Sequence, residues 1–174
     1  GCGTTLFIAP FTLDRNSNSH LAFGASGTVC ESLDGGTTWH ASNTNPLTGT
    51  VQSVTIAPSN SAIIYAGTDS GAVYRTTTGN TAVGTAWTNI STGLPSTPAT
   101  AIAVDSANPD IAYVTFGGFG VGHVWKTTNG GGLWANITNT LPDIPTTSIV
   151  TYAATPSPVL VAGTDIGVYV STDN

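Results

Sequence analysis

The strongest constraint on the fold is an internal repeat of about 45 residues. A hydroxyl residue that opens a Gly-rich turn stands at positions 32, 76, 127 and 171, at intervals of 44, 51 and 44 residues. A glycine that ends an apolar segment recurs in step, at positions 24, 67, 117 and 163. We therefore predict one domain over residues 1–174, made of repeats at about 4–40, 51–90, 99–137 and 146–174.

The first three repeats each have the pattern of four short β-strands. In the second repeat, residues 54–57 and 63–66 are apolar runs on either side of a Pro/Ser/Asn turn, and a Gly-bounded turn precedes a third strand at 73–76. In the first repeat, the alignment places the first strand at residues 6–10, LFIAP. No apolar stripe of helical period is visible. The pattern predicts an all-β fold: a β-propeller, or part of one, of about four blades of four antiparallel strands. The last blade is incomplete, because the fourth repeat stops after its third strand.

A distinctive turn joins the third and fourth strands. Its fullest copy, residues 32–39, reads SLDGGTTW, and the copy at residues 127–134 replaces the acid by Asn. The second copy lacks the acid and reaches its tryptophan late, and the fourth copy begins at residue 171. The residues of these turns are Ser32, Asp34, Gly36, Trp39, Trp87, Thr127, Asn129, Gly131, Trp134, Ser171 and Asp173.

The pattern S-x-D-x-G-x-x-W resembles the Asp-box, or BNR, repeat of sortilin-type, sialidase-like and xyloglucanase-like propellers of secreted proteins. The resemblance implies that these turns are structural and lie away from any active site. A short acid or amide can accept the N–H groups of its own turn, and glycine supplies the positive φ that the turn needs. The resemblance also implies a secreted or cell-surface protein.

The charge balance excludes several kinds of partner. The formal net charge is −6, and the permanent cations are Arg15, Arg75 and Lys126. Neutralising a nucleic-acid backbone takes several clustered cations, so no nucleic-acid partner is expected. No apolar run approaches the roughly 20 residues of a membrane helix, so no membrane insertion is expected.

The residues do not form a catalytic pattern. A sialidase needs three arginines around its substrate carboxylate, and this chain has two. A glycosidase needs a pair of carboxyl groups flanking the bond. Most acids outside the box turns fall in or beside turns of the repeat, and Asp143 has no repeat-based explanation. The three histidines, at positions 20, 40 and 123, lack metal-ligand spacing. We predict no enzymatic activity, no cofactor and no metal site.

One loop departs from the repeat and suggests ligand contact. Residues 116–123, FGGFGVGH, are longer and more aromatic than their counterparts, and an exposed aromatic side chain can stack on a sugar or anchor a protein. The candidate contacts are Phe119, His123 and the acid of the following linker, Asp143. The alternative for Phe119 is local packing.

Two further features concern covalent chemistry. Cys2 and Cys30 permit a disulfide, but two free thiols, or a Cys2 that links another chain or carries a lipid, fit the sequence as well. The sequons at Asn89 and Asn136 follow Trp87 and Trp134 at one offset, and are either glycan acceptors or simply part of the repeat.

The preferred function is non-catalytic assembly. A blade that ends after its third strand leaves an unpaired edge, through which copies of the chain, or the rest of a longer chain, can join. The alternatives are a propeller module that binds a glycan or a protein ligand, and a fragment of a larger glycosidase-like propeller.

Overall fold

The computed structural model describes residues 2–154 and 158–172, and over these residues it is all-β. Fifteen strands form four antiparallel sheets, and each sheet contains neighbouring strands in chain order. The sheets do not close into a ring. The predicted fold class, a partial propeller of about four blades, is confirmed.

The four sheets are the four blades, numbered along the chain. Blade 1 contains β1 (Phe11–Leu13), β2 (Leu21–Ala25), β3 (Thr28–Ser32) and β4 (His40–Ala41). Blade 2 contains β5 (Val51–Ala57), β6 (Asn60–Thr68), β7 (Val73–Thr76) and β8 (Thr88–Asn89). Blade 3 contains β9 (Ala99–Val104), β10 (Ala112–Phe116), β11 (Val124–Thr127) and β12 (Ala135–Asn136). Blade 4 contains β13 (Thr146–Tyr152), β14 (Val159–Thr164) and β15 (Gly167–Ser171).

The hydrophobic core is divided among the interfaces between successive blades. One buried cluster joins blades 1 and 2 around Val29 and Ile64, a second joins blades 2 and 3 around Tyr65 and Phe116, and a third joins blades 3 and 4 around Tyr113. Side chains alternate between the two faces of each strand, so each inner blade packs against both of its neighbours. Blades 2 and 3 are therefore buried on two faces and exposed mainly at their edges.

Hydroxyl groups also connect the innermost strands of successive blades. Thr55 Oγ1 of β5 donates to the Ile102 carbonyl of β9 at 2.7 Å, and Thr100 Oγ1 of β9 donates to the Thr146 carbonyl of β13 at 2.5 Å. A Thr side chain can satisfy a neighbouring carbonyl without bringing a charge into the interior. Thr55 and Thr100 thus contribute directly to blade packing.

The first strand of the first blade lies further along the chain than the alignment predicts. Residues 6–10 form no strand, and Phe7 and Ile8 are fully or largely exposed. The strand is β1, which pairs with β2 from Phe11↔Phe23 to Leu13↔Leu21. An apolar run is not by itself a buried strand, because apolar atoms make up much of any protein surface.

The two outer blades each present an apolar sheet face to solvent. On blade 1 this face, called the blade 1 end face, consists of Phe11, Leu13, Leu21, Phe23 and Trp39. On blade 4 the register places one set of side chains away from blade 3; this blade 4 end face consists of Val150, Tyr152, Val161, Val168 and Val170. No described residue of another blade covers either face.

Candidate functional site

The turn between β3 and β4 is a closed hydrogen-bond system built around Asp34. Its carboxylate accepts the Thr38 N–H at 2.8 Å, the Thr38 hydroxyl at 2.6 Å and the Ser32 hydroxyl at 2.8 Å. The bonds from Thr38, followed by that from Ser32, lower the pKa of Asp34 to about 2. Gly36 N–H donates to Ser32 Oγ at 2.8 Å, with Gly36 at φ 93°. The acceptor capacity of Asp34 is thus used inside its own turn.

The corresponding turn of blade 3 has the same geometry with an amide in place of the acid. Asn129 Oδ1 accepts the Leu133 N–H at 2.9 Å and the Thr127 hydroxyl at 3.0 Å. Gly131 N–H donates to Thr127 Oγ1 at 2.9 Å, and Gly131 has φ 93°. The turn therefore requires an oxygen acceptor but no negative charge. In the fourth copy, Ser171 ends β15, and Asp173 lies outside the described residues.

The tryptophans that follow these turns reach back to the preceding blade. Trp87 Nε1 donates to Ser42 Oγ of blade 1 at 3.3 Å, and Trp134 Nε1 donates to the Ile90 carbonyl of blade 2 at 2.7 Å. Trp39 lies on the blade 1 end face, edge-on to Phe23 at 4.8 Å between ring centroids, and donates to Gly36 of its own turn. Trp87 and Trp134 are thus links between blades.

The three candidate ligand contacts lie together in blade 3. His123 is buried, and its Nε2 lies 2.9 Å from Asp143 Oδ1, while the same carboxylate oxygen accepts the Gly120 N–H at 2.7 Å. The Gly120 and His123 hydrogen bonds lower the pKa of Asp143. Phe119, between two glycines with positive φ, is 69% exposed. The accessible groups are therefore Phe119 and Asp143, and His123 holds the linker acid against the loop.

The structure reveals a buried ionisable cluster that the sequence reading missed. His20 Nδ1 lies 2.8 Å from Asp14 Oδ2, and its Nε2 lies 2.8 Å from Glu31 Oε2. All three side chains are almost completely buried. Glu31 also contacts the Ser42 hydroxyl and accepts the Asn80 N–H of blade 2 at 2.8 Å.

The charges of this cluster stabilise one another. Burial alone would lower the pKa of His20, but its bonds to Glu31 and Asp14 raise it above the ordinary 6.5. Burial would raise the pKa of Glu31, but His20, Ser42 and the Asn80 N–H lower it. For Asp14, hydrogen bonds from Ser61, the Asn16 N–H and His20 likewise outweigh burial and lower the pKa.

A repeat-based signal was available for Glu31. It occupies the position immediately before the box hydroxyl, where Arg75 and Lys126 stand in blades 2 and 3. Arg75 contacts Asp110 of blade 3, and Glu31 accepts the Asn80 N–H of blade 2, so this position contacts the next blade in both cases. A charged residue in a mostly apolar strand, repeated in register, points to such a role.

The cysteines and the sequons have simple local settings. Cys2 and Cys30 form a disulfide, with their Cα atoms 5.7 Å apart, and it ties the N-terminal segment to β3. Asn89 and Asn136 are exposed, and each accepts the N–H of the hydroxyl residue two positions later, at 2.9 and 3.0 Å. Among the described residues no helix is long and apolar enough to cross a membrane, and no group of His, Cys, Asp and Glu has the arrangement of a metal site.

Comparisons with known proteins give a structural likeness alone. A scan of protein-family models gives no match, and a search of curated proteins gives none. The chain is similar to the GH74 enzyme of Niastella koreensis, with a TM-score of 0.69 and 19% identity over 91% of this chain and 26% of that chain. It is also similar to the GH74 xyloglucanase of Xanthomonas campestris, with a TM-score of 0.68 and 12% identity over 88% of this chain and 26% of that chain.

A third similar structure is YCF48 from Cyanidioschyzon merolae, with a TM-score of 0.58 and 20% identity over 96% of this chain and 53% of that chain. The chain thus spans about a quarter of the length of the two GH74 enzymes and about half of this YCF48 chain. At these identities the likeness concerns the fold. Both kinds of neighbour are β-propeller proteins, and the chain has the fold of a four-blade arc of such a propeller.

Proposed function

We propose that this chain is a non-catalytic, secreted or cell-surface propeller segment of the Asp-box type that assembles end to end with a second copy of itself. The observation that carries the proposal is the pair of exposed apolar end faces on blades 1 and 4. Each is the repeat equivalent of a face that is buried inside the chain. The disulfide agrees with an oxidising compartment, where such bonds persist.

The equivalence can be followed residue by residue. On blade 4, Val161 and Val168 occupy the positions that Tyr65 and Val73 occupy in blade 2, where both are fully buried against blade 3. On blade 1, Phe23 occupies the position of Ala66 in blade 2, which is buried against blade 1. Seating blade 1 of one copy on blade 4 of another would therefore repeat a contact that the chain already makes three times.

Such a contact joins two different faces, so it is heterologous. Two arcs related by a two-fold axis would make it twice and close a ring of about eight blades, within the range known for propellers. Burying apolar surface is the main favourable term in this association. The expected product is a discrete dimer.

Sedimentation equilibrium tests the assembly. The wild-type chain is expected to be dimeric at about 10 µM, and Val168→Lys or Leu13→Lys is expected to make it monomeric, because each places a charge on one end face. Leu133→Lys is the matched control, because Leu133 is 73% exposed and lies on neither face. An equimolar mixture of the two monomeric variants should recover a dimer, since one contact between intact faces remains. A wild-type chain that stays monomeric at 100 µM would contradict the proposal and favour the alternative, a segment of a larger glycosidase-like propeller.

The non-catalytic part of the proposal rests on how the acids are used. Asp34 binds its own turn, Asp105 accepts the Ala107 and Asn108 N–H groups, and Asp14 and Glu31 are buried around His20. A retaining or inverting glycosidase needs two accessible carboxyl groups across a cleft. Because one structural neighbour is a xyloglucanase, the direct test is incubation with xyloglucan, and we expect no new reducing ends.

A second candidate function, ligand binding, is favoured by the exposed Phe119. The hydrogen bond from the Gly120 N–H to Asp143 restrains the loop next to Phe119, so it also limits the positions that the exposed ring can take. A glycan or an apolar protein segment would stack on the ring. Titration with xyloglucan oligosaccharides by calorimetry tests the sugar case. Binding that is abolished by Phe119→Ala and preserved by Leu133→Ala would support it. A titration without a heat of binding would exclude xyloglucan oligosaccharides as ligands.

A further inference from the structure

The two sequons occupy equivalent places in blades 2 and 3 but lie in different surroundings. Asn89 ends β8 and pairs with Tyr74 of β7. Asn136 ends β12 and pairs with Trp125 of β11. Both asparagines are exposed, and each uses its Oδ1 to accept the N–H two positions later. This bond leaves Nδ2, the atom that carries an N-linked glycan, outside the turn.

Asn89 borders a small hollow on the surface of blade 2. The hollow has a volume of about 270 Å³ and lies among the segment that leads into the blade, the turn between β6 and β7, and the linker after β8. Hydroxyl and small apolar side chains line it: Thr48, Ser70, Ser91, Ser96, Ala72 and Leu94. A sugar ring has hydroxyl groups around its edge and C–H groups on its faces, so this lining matches its chemistry.

In blade 3 the equivalent space is occupied by larger side chains. The linkers after β8 and β12 contain STGLPSTP and TNTLPDIP at one offset from the sequon asparagine, so Ser96 corresponds to Asp143. Ala72 corresponds to His123, because each immediately precedes the third strand of its blade. His123 Nε2 lies 2.9 Å from Asp143 Oδ1. Two larger side chains therefore bond to each other where blade 2 has an alanine and a serine.

The side chain of Asn136 also lies against the loop between β10 and β11. A Cβ on Gly122 would lie 2.5 Å from Asn136 Nδ2 and 2.9 Å from Trp125 Nε1, so the loop backbone and the indole stand directly beside the amide. Gly71, the equivalent of Gly122 in blade 2, has linker backbone and not the sequon asparagine as its close neighbours. The amide nitrogen is thus crowded on one side in blade 3, whereas in blade 2 it borders the hollow.

We propose that Asn89 is an N-glycosylation site whose first sugar residue rests in this hollow, and that the sequon at Asn136 is a structural part of the repeat that carries no glycan. The modification joins Asn89 Nδ2 to the anomeric carbon of an oligosaccharide supplied on a polyprenyl diphosphate. The N–C bond forms as the bond from that carbon to the phosphate oxygen breaks. The nitrogen loses one proton, and the lipid diphosphate leaves with the bonding electron pair. Because N-glycosylation is a modification of secreted proteins, this inference rests on the proposed secretion.

The position of Asn89 is compatible with the rest of the fold. Asn89 lies at the outer edge of blade 2, which is an inner blade, so a glycan there covers neither end face. Only 7% of the residues of the chain are charged. A glycan is bulky and strongly hydrated, so it adds the solubility that surface charges supply in other proteins.

Mapping the two sequons tests the site. The intact chain is secreted from insect cells, digested with chymotrypsin and deglycosylated enzymatically in heavy-oxygen water, which marks each formerly modified asparagine as a labelled aspartate for mass spectrometry. We expect Asn89 to be modified in most molecules and Asn136 in few. Asn89→Gln should remove the mass of one glycan from the intact chain, and the matched control Asn136→Gln should leave that mass unchanged. An unmodified Asn89, or equal modification of the two asparagines, would overturn the proposal.

Thermal unfolding tests the place of the first sugar. The glycan is trimmed to a single N-acetylglucosamine, and this form is compared with the unmodified chain produced in a bacterial periplasm, where disulfides also form. The sugar should raise the Tm by about 2–4 °C, because it contacts the hollow in the folded state alone. The double substitution Ala72→His/Ser96→Asp places the side chains of blade 3 beside Asn89, and it should remove this shift.

A second variant and a control complete the test. If the double substitution disturbs folding, Ser96→Trp covers the hollow from its exposed rim and should also remove the shift. Thr77→Trp is the control, because Thr77 is exposed and does not line the hollow. A shift as large in Ser96→Trp as in the wild type, or no shift in the wild type, would overturn this placement of the sugar. The sedimentation test of assembly uses the unmodified chain, so its failure and the failure of this inference are distinguishable.

Discussion

The interface between blades 2 and 3 and the interface between blades 3 and 4 are built from the same repeat and differ in completeness. Both have apolar strands facing each other and a Thr hydroxyl bonded to a carbonyl of the next blade. In the first, Trp134 is 6% exposed and closes the outer part of the contact. In the second, the equivalent volume is a cavity. The inner strands suffice to bring two blades together, and the tryptophan determines how completely the contact is packed.

Removing the tryptophan from the filled interface should have the largest effect. Trp134→Ala is expected to lower the free energy of unfolding by about 3–5 kcal/mol, because a large buried side chain is lost and a cavity remains. Trp39→Ala, in the equivalent position on the blade 1 end face, is the matched control and should cost about 1 kcal/mol in the monomer. Urea denaturation of both variants measures the difference. Similar losses for the two would show that Trp134 does not close the interface.

The glycines that end the second strands, Gly67 in blade 2 and Gly163 in blade 4, should also differ in their tolerance of a larger side chain, with a smaller effect on stability. A Cβ on Gly67 would lie 2.8 Å from Ala99 Cβ and 3.0 Å from the Ala99 carbonyl of blade 3. Gly67→Ala should therefore cost about 1–3 kcal/mol through overpacking. At Gly163, the equivalent in blade 4, the close neighbour is the Ser148 side chain of the same blade, which can rotate. Thermal unfolding of both variants checks this, and a larger loss for Gly163→Ala would be inconsistent with axial crowding between blades.

The interface between blades 1 and 2 adds a pH dependence that the other two should lack. The raised pKa of His20 makes its contribution complete below pH 6.5, and that contribution is lost as the pH rises through the folded-state pKa. The lowered pKa values of Asp14 and Glu31 make theirs complete above about pH 4.5, with loss as the pH falls further. Stability should therefore be greatest between about pH 4.5 and 6.5.

Urea midpoints across pH 3–9 measure this window. A change on the order of 1–3 kcal/mol is expected, as for hydrogen bonds to charged groups. His20→Gln should be less stable and should lose the alkaline decline. A wild-type midpoint that is flat from pH 5 to 9, or a variant that keeps the decline, would show that another group is responsible.

The smallest expected effect is a gain. Ala162 lines the cavity between blades 3 and 4, and Ala66 is its equivalent in the closely packed interface between blades 1 and 2. Ala162→Val should raise the free energy of unfolding by up to about 1 kcal/mol by filling space, whereas Ala66→Val should lower it. Chemical denaturation of the pair gives the sign. Destabilisation by both substitutions would mean that the cavity wall cannot accept a larger side chain.

The repeat predicted the architecture well because both rest on the same spacing. The third strand predicted at 73–76 is β7, and the apolar runs predicted at 54–57 and 63–66 lie within β5 and β6. Prediction failed at residues 6–10, where apolar letters matched the repeat but the segment lies exposed. An alignment of residue types cannot show that the first strand begins only at Phe11.

The ionisable cluster was harder to predict, for a different reason. His20 lacks metal-ligand spacing in the sequence, and its partners lie 6 and 11 residues away and meet it only after β2 and β3 pair. Burial and charge pairing are properties of the folded sheet, so they are not visible in composition. The position of the cavity at Ile137 can be read from the repeat, because Ser42 and Ile90 are its equivalents in blades 1 and 2. Only the structure shows that no indole of the described residues fills the space beside Ile137.

Trp87 and Trp134 each bond to the preceding blade, so the resistance of the four blades to mechanical unfolding should depend on the end at which force is applied. Blades 2 and 3 are each linked by their own box tryptophan to the preceding blade. Load applied along the chain from the two ends therefore meets different resistance. Unfolding from the blade 4 side begins where the described residues provide no such tryptophan, whereas load from the N-terminal side passes through the Cys2–Cys30 disulfide directly to β3.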